Sequence, residues 1–504
     1  MTSGVGVFYL YVNGKPMGEE VLKPGFTHYA KTIAGPVRHA AIFDGEEYDA
    51  REAEGFMNAP ALGKAETNSE FAGGIFPSEG AEIYRREDLA LSPVNAYTWQ
   101  GVTDATDDAF GKIIVSRQFR KGGMIMRYTF GKNNGFVRYS PLCTFYGYRF
   151  ISVTADREVR IRSVRSVPVT SIASRLETGR ITTGNELVNK LISNTMWGLR
   201  SNYLSVPTDW LSYEPLESCS GRKDYVDENG NWHTRPEAIE YWNYLSGCYW
   251  LSDARMMADM AVASGRDASR YEAMASEAEK YVRERFLNSD GTFKTEILNT
   301  MQTPALFALK NGLVDGAAKD EMIRRLRENF ASHDNCLQTG FLGTSILMPT
   351  LTENGMSDIA YELLFQRKNP SWLYSVDNGA TTIWERWNSY MLDSGMGPQG
   401  MNSFNHYAYG CVCEWMWETM AGIATDTSAP GFSRIVMKPV PDKRLGFVKA
   451  EYASAAGMIR SHWRFDGDKW IWEFTVPKGA VADVTLPGQT QPKEYPSGNH
   501  KIIM

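Results

Sequence analysis

The chain reads as a multidomain α+β protein: a helical (α/α) toroid flanked by N- and C-terminal antiparallel β-sandwich domains. Three observations predict this layout. Short β-branched and aromatic runs broken by turns fill residues 1–170, apolar residues fall at helical spacing through 171–425, and apolar–polar alternation returns over 426–504. A length of 504 residues agrees, since one domain usually takes roughly 150.

In chain order, "VFYLYVNGK" reads as a strand entering a turn at Asn13-Gly14. Further strands are expected in "KIIVSRQF", "GMIMRYTF", "FYGYRFISVTA" and "REVRIRSVRSV". In the last of these, Val159 and Ile161 face one way and Glu158, Arg160 and Arg162 the other, as in a half-buried antiparallel strand. The pattern changes near Gly179. Leu187, Leu191, Ile192, Met196 and Leu199 then recur at helical spacing behind Thr183 and Asn185, both plausible caps. Helical patterns continue in seven more segments, giving about eight helices. Short Gly-bearing turns between them suggest antiparallel hairpins arranged as a toroid. After Gly422, "RIVMKPV", "FVKAEYASAAGMIRSHWRFDGDKWIWEFTVP" and "ADVTLPG" alternate again, with Asp466-Gly467 as a hairpin turn. This order puts any catalytic residues in the middle region.

Composition excludes several function classes. With 53 Lys+Arg against 59 Asp+Glu the net charge is −6, and no long basic run offers a nucleic-acid footprint. No stretch approaches the roughly 20 apolar residues of a membrane-spanning helix. The start lacks a basic region ahead of an apolar one, so a cytoplasmic location is expected, or a periplasmic one if a leader has been removed. Six cysteines (Cys143, Cys219, Cys248, Cys336, Cys411 and Cys413) show neither a CxxC pair nor ligand spacing with histidine, so neither a disulfide scaffold nor a structural zinc is expected. The 62 aromatic residues (14 Trp, 25 Tyr, 23 Phe) fit stacking on sugar rings, and equally the packing of sandwich cores.

Two acidic segments stand apart from the helical periodicity. The first is "SVPTDWLSYEPLES", with Asp209, Glu214 and Glu217 beside Trp210 and Tyr213; Pro207 and Pro215 argue for a loop. The second is "DNGATTIWERWNSY", where Glu385 lies between Trp384 and Trp387. Two carboxyl groups on opposite sides of a glycoside are what acetal hydrolysis needs, one protonating the leaving oxygen and one acting from the other face. An aromatic setting raises a carboxyl pKa and keeps the acid protonated. The plainer alternatives are that Asp209 caps a helix and that Glu385 pairs with Arg386 or another cation. His406, in "MNSFNHYAYG" at the mouth of a helix, could donate to sugar hydroxyls or be a structural donor.

Five strings carry a resemblance: "RSNYLSVPTD", "LQTGFLGTSIL", "PSWLYSVDNGATTIWERWNSY", "MNSFNHYAYG" and "PGFSRIVMKPVPD". They closely resemble the bacterial α-L-rhamnosidases of glycoside hydrolase family 78, and the likeness runs over most of the chain. It implies an (α/α)6 barrel among β-sandwich domains and cleavage of terminal α-L-rhamnose with inversion. By the same resemblance Glu385 is the general base, His406 contacts the sugar and Asp209 holds it. Trp384, Trp387 and Trp210 would wall the sugar, with Arg200 and Asn405 from the matched strings beside it. A carbohydrate is the expected partner, with a homo-oligomer as an option, and no metal or organic cofactor is implied.

Departures accompany the likeness. Where the family continues from "PTD" into a segment holding its general acid, this chain reads "WLSYEPLESCSGRKDYVDENGNW". Glu214 is the first candidate for the acid and Glu217 the second, while Asp224 and Asp227 could replace a further aspartate. Set against the family pattern, about a hundred residues of barrel are absent, and eight helices against twelve agree with that gap; the N-terminal β-region is shortened by the same measure. Two other readings follow. One is a polysaccharide lyase on a rhamnose–uronate linkage, using Tyr213, His233, Arg222 and Lys223. The other is a non-catalytic carbohydrate-binding homologue that has lost its acid loop.

Overall fold

The computed structural model describes residues 151–208, 236–396 and 402–504 without a break, together with 11–12, 15–16, 36–41, 45–53, 81–96, 125–132, 135–141, 144–148, 225–226 and 232–233. The chain divides into two compact units, Met1–Val169 and Thr170–Met504.

In the first unit β1 (Val37–Ala41) pairs antiparallel with β2 (Gly45–Asp49), and β2 pairs parallel with β3 (Ile125–Thr129). Glu46 of β2 is fully buried, and the Tyr139 hydroxyl donates to its carboxylate at 3.0 Å. A buried carboxylate needs such a donor. Tyr11–Val12 and Lys15–Pro16 pair antiparallel, and Asn13-Gly14, where a turn was expected, lies outside the described residues. The strand expected over Glu158–Arg162 is not formed: residues 157–165 carry no strand, and Val159 and Ile161 are exposed. Alternation specifies a strand only where a neighbouring strand supplies hydrogen bonds and a core takes one face. Nor do the described residues of "FYGYRFISVTA" form a strand, and "KIIVSRQF" lies outside the described residues.

The second unit opens with β4 (Gly179–Thr183) and α1 (Glu186–Asn202). Asn185 caps α1, its side chain accepting from the amides of Leu187 and Val188. The buried face of α1 comprises Val188, Leu191, Asn194, Thr195, Gly198 and Asn202, so small and polar residues line its second half where Met196 and Leu199 were expected. Then follow α2 (Pro236–Ala263), α3 (Ser269–Phe286), α4 (Glu296–Thr300), α5 (Gln302–Lys310), α6 (Gly316–Ser332), α7 (Phe341–Glu353), α8 (Ser357–Phe365), α9 (Trp372–Asp377) and α10 (Val412–Trp415). The described residues thus hold ten helices where about eight were expected; the two additional ones, α4 and α9, have five and six residues. Elements that short are below the length at which helical periodicity becomes legible. None of the described helices is long and apolar enough to cross a membrane.

The C-terminal part contains β5 (Ala424–Thr425), β6 (Arg434–Met437), β7 (Phe447–Ser454), β8 (Gly457–Asp466), β9 (Lys469–Val476), β10 (Val481–Val484), β11 (Lys493–Tyr495) and β12 (Gly498–Ile503). They form one sheet in the order β12-β9-β8-β7-β4 and another in the order β5-β6-β10-β11. The expectation of antiparallel sheets at both ends is corrected at one ladder in each, since β2 pairs in parallel with β3 and β6 with β10. The hairpin between β8 and β9 turns at Gly467 and Asp468, because Asp466 already pairs with Lys469. β4 comes from ahead of the helices yet pairs along β7 from Val448 to Tyr452. One apolar cluster runs from Val188 and Leu191 of α1 through Trp415 to Trp463 and Trp472 of the sheet. The Trp463 indole donates to the Met420 carbonyl at 2.7 Å and the Ser461 hydroxyl to that of Ala421 at 2.6 Å, fastening the sheet to the end of the helical region.

Candidate active site

The second unit gathers most of the described candidates into two facing segments, 380–389 after α9 and 402–407 before α10. Ser371 caps α9, and Gly379, at φ +77°, turns the chain out of it into a conformation that suits glycine. Asn194 on the buried face of α1 then donates to the Ala380 carbonyl at 3.0 Å and fixes where the loop begins.

From there the segments are laced together. The Thr382 hydroxyl donates to the Phe404 carbonyl at 2.6 Å, and the His406 amide donates to the Ile383 carbonyl at 2.8 Å. The Glu385 amide donates to the Ser403 carbonyl at 2.8 Å, while the Ser403 amide donates back to Glu385 Oε2 at 2.5 Å. One oxygen of this half-buried carboxylate is therefore aimed by a backbone dipole, in a charge-assisted bond stronger than a neutral one.

Aromatic side chains stiffen the surroundings. Trp384 is buried and meets Phe404 edge to face at 5.3 Å. Trp387 stacks on Tyr409 at 4.0 Å, and its indole donates to the Thr339 carbonyl at 2.8 Å. His406 is only 3% exposed, lies parallel to Phe341 at 4.7 Å, and accepts from the Ala408 amide at Nδ1. A neutral ring that accepts at Nδ1 carries its proton on Nε2 and can donate there.

Asn405 joins the same network. The Ser201 hydroxyl donates to its Oδ1 at 2.9 Å, and Asn202 Nδ2 donates to its carbonyl at 3.0 Å. Arg200, near the end of α1, is gripped by Glu177 through two bonds of 2.8 and 2.6 Å and lies over the Trp197 ring. Such a bidentate pair commits the guanidinium to a protein carboxylate. Thr208 is anchored by its amide, which donates to the Asn202 carbonyl at 2.7 Å. Asp209, Trp210, Tyr213, Glu214, Glu217, Arg222, Lys223, Asp224 and Asp227 lie outside the described residues, and His233 is described only as one end of a two-residue strand, Trp232–His233.

Glu385, His406, Asn405, Trp384 and Trp387 are thus brought together. Reading the sequence missed the residues that hold them, Ser403, Ser201, Asn202, Phe341 and Tyr409, although all five fall within the strings that carried the resemblance. Among the described residues no group of three or more His, Cys, Asp or Glu could hold a metal ion. A fixed carboxylate, a histidine able to donate and rigid aromatic faces form a set that can receive a proton from water beside a polyhydroxylated ring.

Comparison with known proteins adds the lineage. Residues 176–216 and 213–420 match the bacterial alpha-L-rhamnosidase six-hairpin glycosidase domain, 422–501 the C-terminal domain of the same family and 1–34 its N-terminal domain. An alpha-L-rhamnosidase of Streptomyces avermitilis is 28% identical over 71% of this chain and 43% of its own length. One from Alteromonas sp. is 25% identical over 90% of this chain and 64% of its own. The crystal structure of the Streptomyces avermitilis enzyme complexed with L-rhamnose superposes with a TM-score of 0.74 at 23% identity, covering 94% of this chain and 59% of that one. An alpha-L-rhamnosidase of Aspergillus terreus gives 0.70 at 23%, over 93% and 70%. The chain spans about half the length of the first curated relatives it matches.

Proposed function

We propose that this chain, matched along its length by three domain models of the bacterial alpha-L-rhamnosidases, is a glycoside hydrolase that removes terminal α-L-rhamnose from oligosaccharides or glycosides. The observation that carries this reading is Glu385, its Oε2 held by the amide of Ser403 in the same segment that carries Asn405 and His406. In the proposed single displacement Glu385 takes a proton from water as the water attacks the anomeric carbon, and an acid protonates the departing oxygen. Glu214 is proposed as that acid, ahead of Glu217, with Asp209 and Trp210 beside the sugar. His406 and Asn405 orient ring hydroxyls, and the tryptophans give apolar walls for the methyl group and ring faces. Arg200, bound by Glu177, would act at second hand by stiffening the end of α1.

The reading keeps a three-part layout, with residues 1–170 and 426–504 around a catalytic region over 171–425. The test is release of nitrophenol from an aryl α-L-rhamnoside. Glu385→Gln should lower kcat by about 10²- to 10⁴-fold with folding intact, the usual loss of a general base. Glu214→Gln checks the acid in the same assay. Full activity in the Glu385 variant would overturn the assignment.

A further inference from the structure

We infer that Asn202, the last residue of α1, is a positioning residue that sets the register between the segment holding Glu385 and the strand pair that leaves the helix. The inference rests on the reading of Glu385 proposed above. Asn202 is 2% exposed and bonds through both its ends. Its side-chain amide donates to the Gly198 carbonyl at 2.8 Å, to the Asn405 carbonyl at 3.0 Å and, more weakly, to Asn405 Oδ1 at 3.3 Å. Its own carbonyl accepts from the Thr208 amide at 2.7 Å and the Thr208 hydroxyl at 3.2 Å.

Each partner leads toward the carboxylate or away along the chain. The Asn405 amide donates to Ser403 Oγ at 3.1 Å, and the Ser403 amide holds Glu385 Oε2. On the other side the chain leaves α1 through Tyr203–Leu204, reverses at Ser205 and returns through Val206–Pro207 to Thr208. Ser205, at φ +67°, occupies the left-handed region, and its amide is held by Ser171 Oγ at 2.7 Å. A non-glycine residue keeps that conformation only where its surroundings over-determine it. The Asn202 carbonyl supplies one of those restraints by closing the reversal at Thr208.

Chemistry explains why asparagine suits this place. The side chain must donate to a carbonyl without carrying charge, since two carbonyls converge on it in a buried site. Aspartate has the same shape but, when ionised, only accepts, so it would face the Asn405 and Gly198 carbonyls with repulsion. A displacement of the Glu385 carboxylate by a fraction of an ångström is enough to slow proton transfer.

The test uses the full chain with Asn202→Ala and Asn202→Asp, and Asn311→Ala as a control. Asn311 is another buried asparagine at a helix end, following α5 and bonded back to it through the Phe307 carbonyl at 3.0 Å. Amide hydrogen exchange is the first readout. In Asn202→Ala the Ser403 and His406 amides should exchange about tenfold faster or more, while the Thr208 amide, held by the main-chain carbonyl that the substitution keeps, and all three amides in the control hold the parent rate. Unchanged exchange at the Ser403 and His406 amides would overturn the inference whatever the catalytic result. Kinetics on the aryl α-L-rhamnoside are the second readout: kcat should fall on the order of tenfold in Asn202→Ala with little change in KM. In Asn202→Asp the kcat relative to parent should rise as pH falls, because the new carboxyl can donate only when protonated. If kcat per folded molecule stays within about twofold of the control while exchange rises, Asn202 is structural only and the inference fails. If exchange rises and the parent shows no turnover, the tie stands and it is the rhamnosidase reading that falls.

Discussion

The Ser403 amide holds one oxygen of Glu385, and three residues further along the same segment His406 lies with its ring flat on Phe341. Replacing that histidine by phenylalanine keeps the stack but removes both ring nitrogens. His406→Phe should therefore lower kcat/KM by about 10- to 100-fold, the cost of one lost hydrogen bond to substrate, and lower the melting temperature as well, because the Ala408 amide loses its acceptor; steady-state kinetics beside a thermal scan would check both. Away from the site, Cys248 of α2 is fully buried, and that burial pushes its thiol up to about 12. A maleimide at neutral pH should leave Cys248 unlabelled in the folded protein and label it after unfolding, as peptide mass spectrometry would read. At this scale the candidate residues could be picked out as carboxylates and a histidine among aromatics, and the roles proposed for them came from the family resemblance. The residues that aim them were not. A serine whose backbone does the work, or an asparagine at the end of a helix, has no pattern that distinguishes it from an ordinary turn.

Among the elements, α2 and α3 meet at Gly247, where an added Cβ would lie 2.8 Å from Val282 Cγ2. Gly247→Ala should thus destabilise the protein by about 1–3 kcal/mol, the usual cost of overpacking, and lower the melting temperature measurably in a calorimetric scan. Helices α6 and α8 are joined on the surface by Arg327 and Asp358 at 2.7 Å. The hydrogen bond from Arg327 lowers the Asp358 pKa below its ordinary value. Since the native pKa is the lower one, the pair stabilises above the ordinary aspartate value of about 3.9 and loses its contribution as pH falls through the native value. The stability deficit of Arg327→Gln should accordingly be present at pH 6 and shrink below about pH 4, as urea melts at several pH values would show. Long helices such as α2, α3 and α6 were legible from spacing and from Gly-marked ends. The strand expected at Glu158–Arg162 was misread for the opposite reason, because alternation alone cannot tell whether a partner strand will be there.

Over the whole molecule, what the sequence hid was the placement of β4. Its five residues look like a prelude to α1, yet they complete the sheet that begins again at β7. No local pattern encodes a pairing between residues 179–183 and 448–452, which depends on tertiary fit. A fragment ending at residue 425 should consequently lose β4's partner and the Trp463 and Ser461 bonds to the Met420 and Ala421 carbonyls. Such a fragment is expected to be insoluble or to unfold at a lower temperature than the full chain, whereas residues 170–504 should melt in one transition; differential scanning calorimetry of the pair decides it.

The same strand also fixes an order of events during synthesis. A ribosome has finished α1 and is already making the later helices while β4 waits, because its pairing partner lies some 265 residues downstream. At about 5–20 residues per second that interval lasts tens of seconds. Throughout it the nascent helical region has an unpaired strand at its edge and an unfilled apolar side, so its dependence on a holding chaperone should end when β7 leaves the exit tunnel.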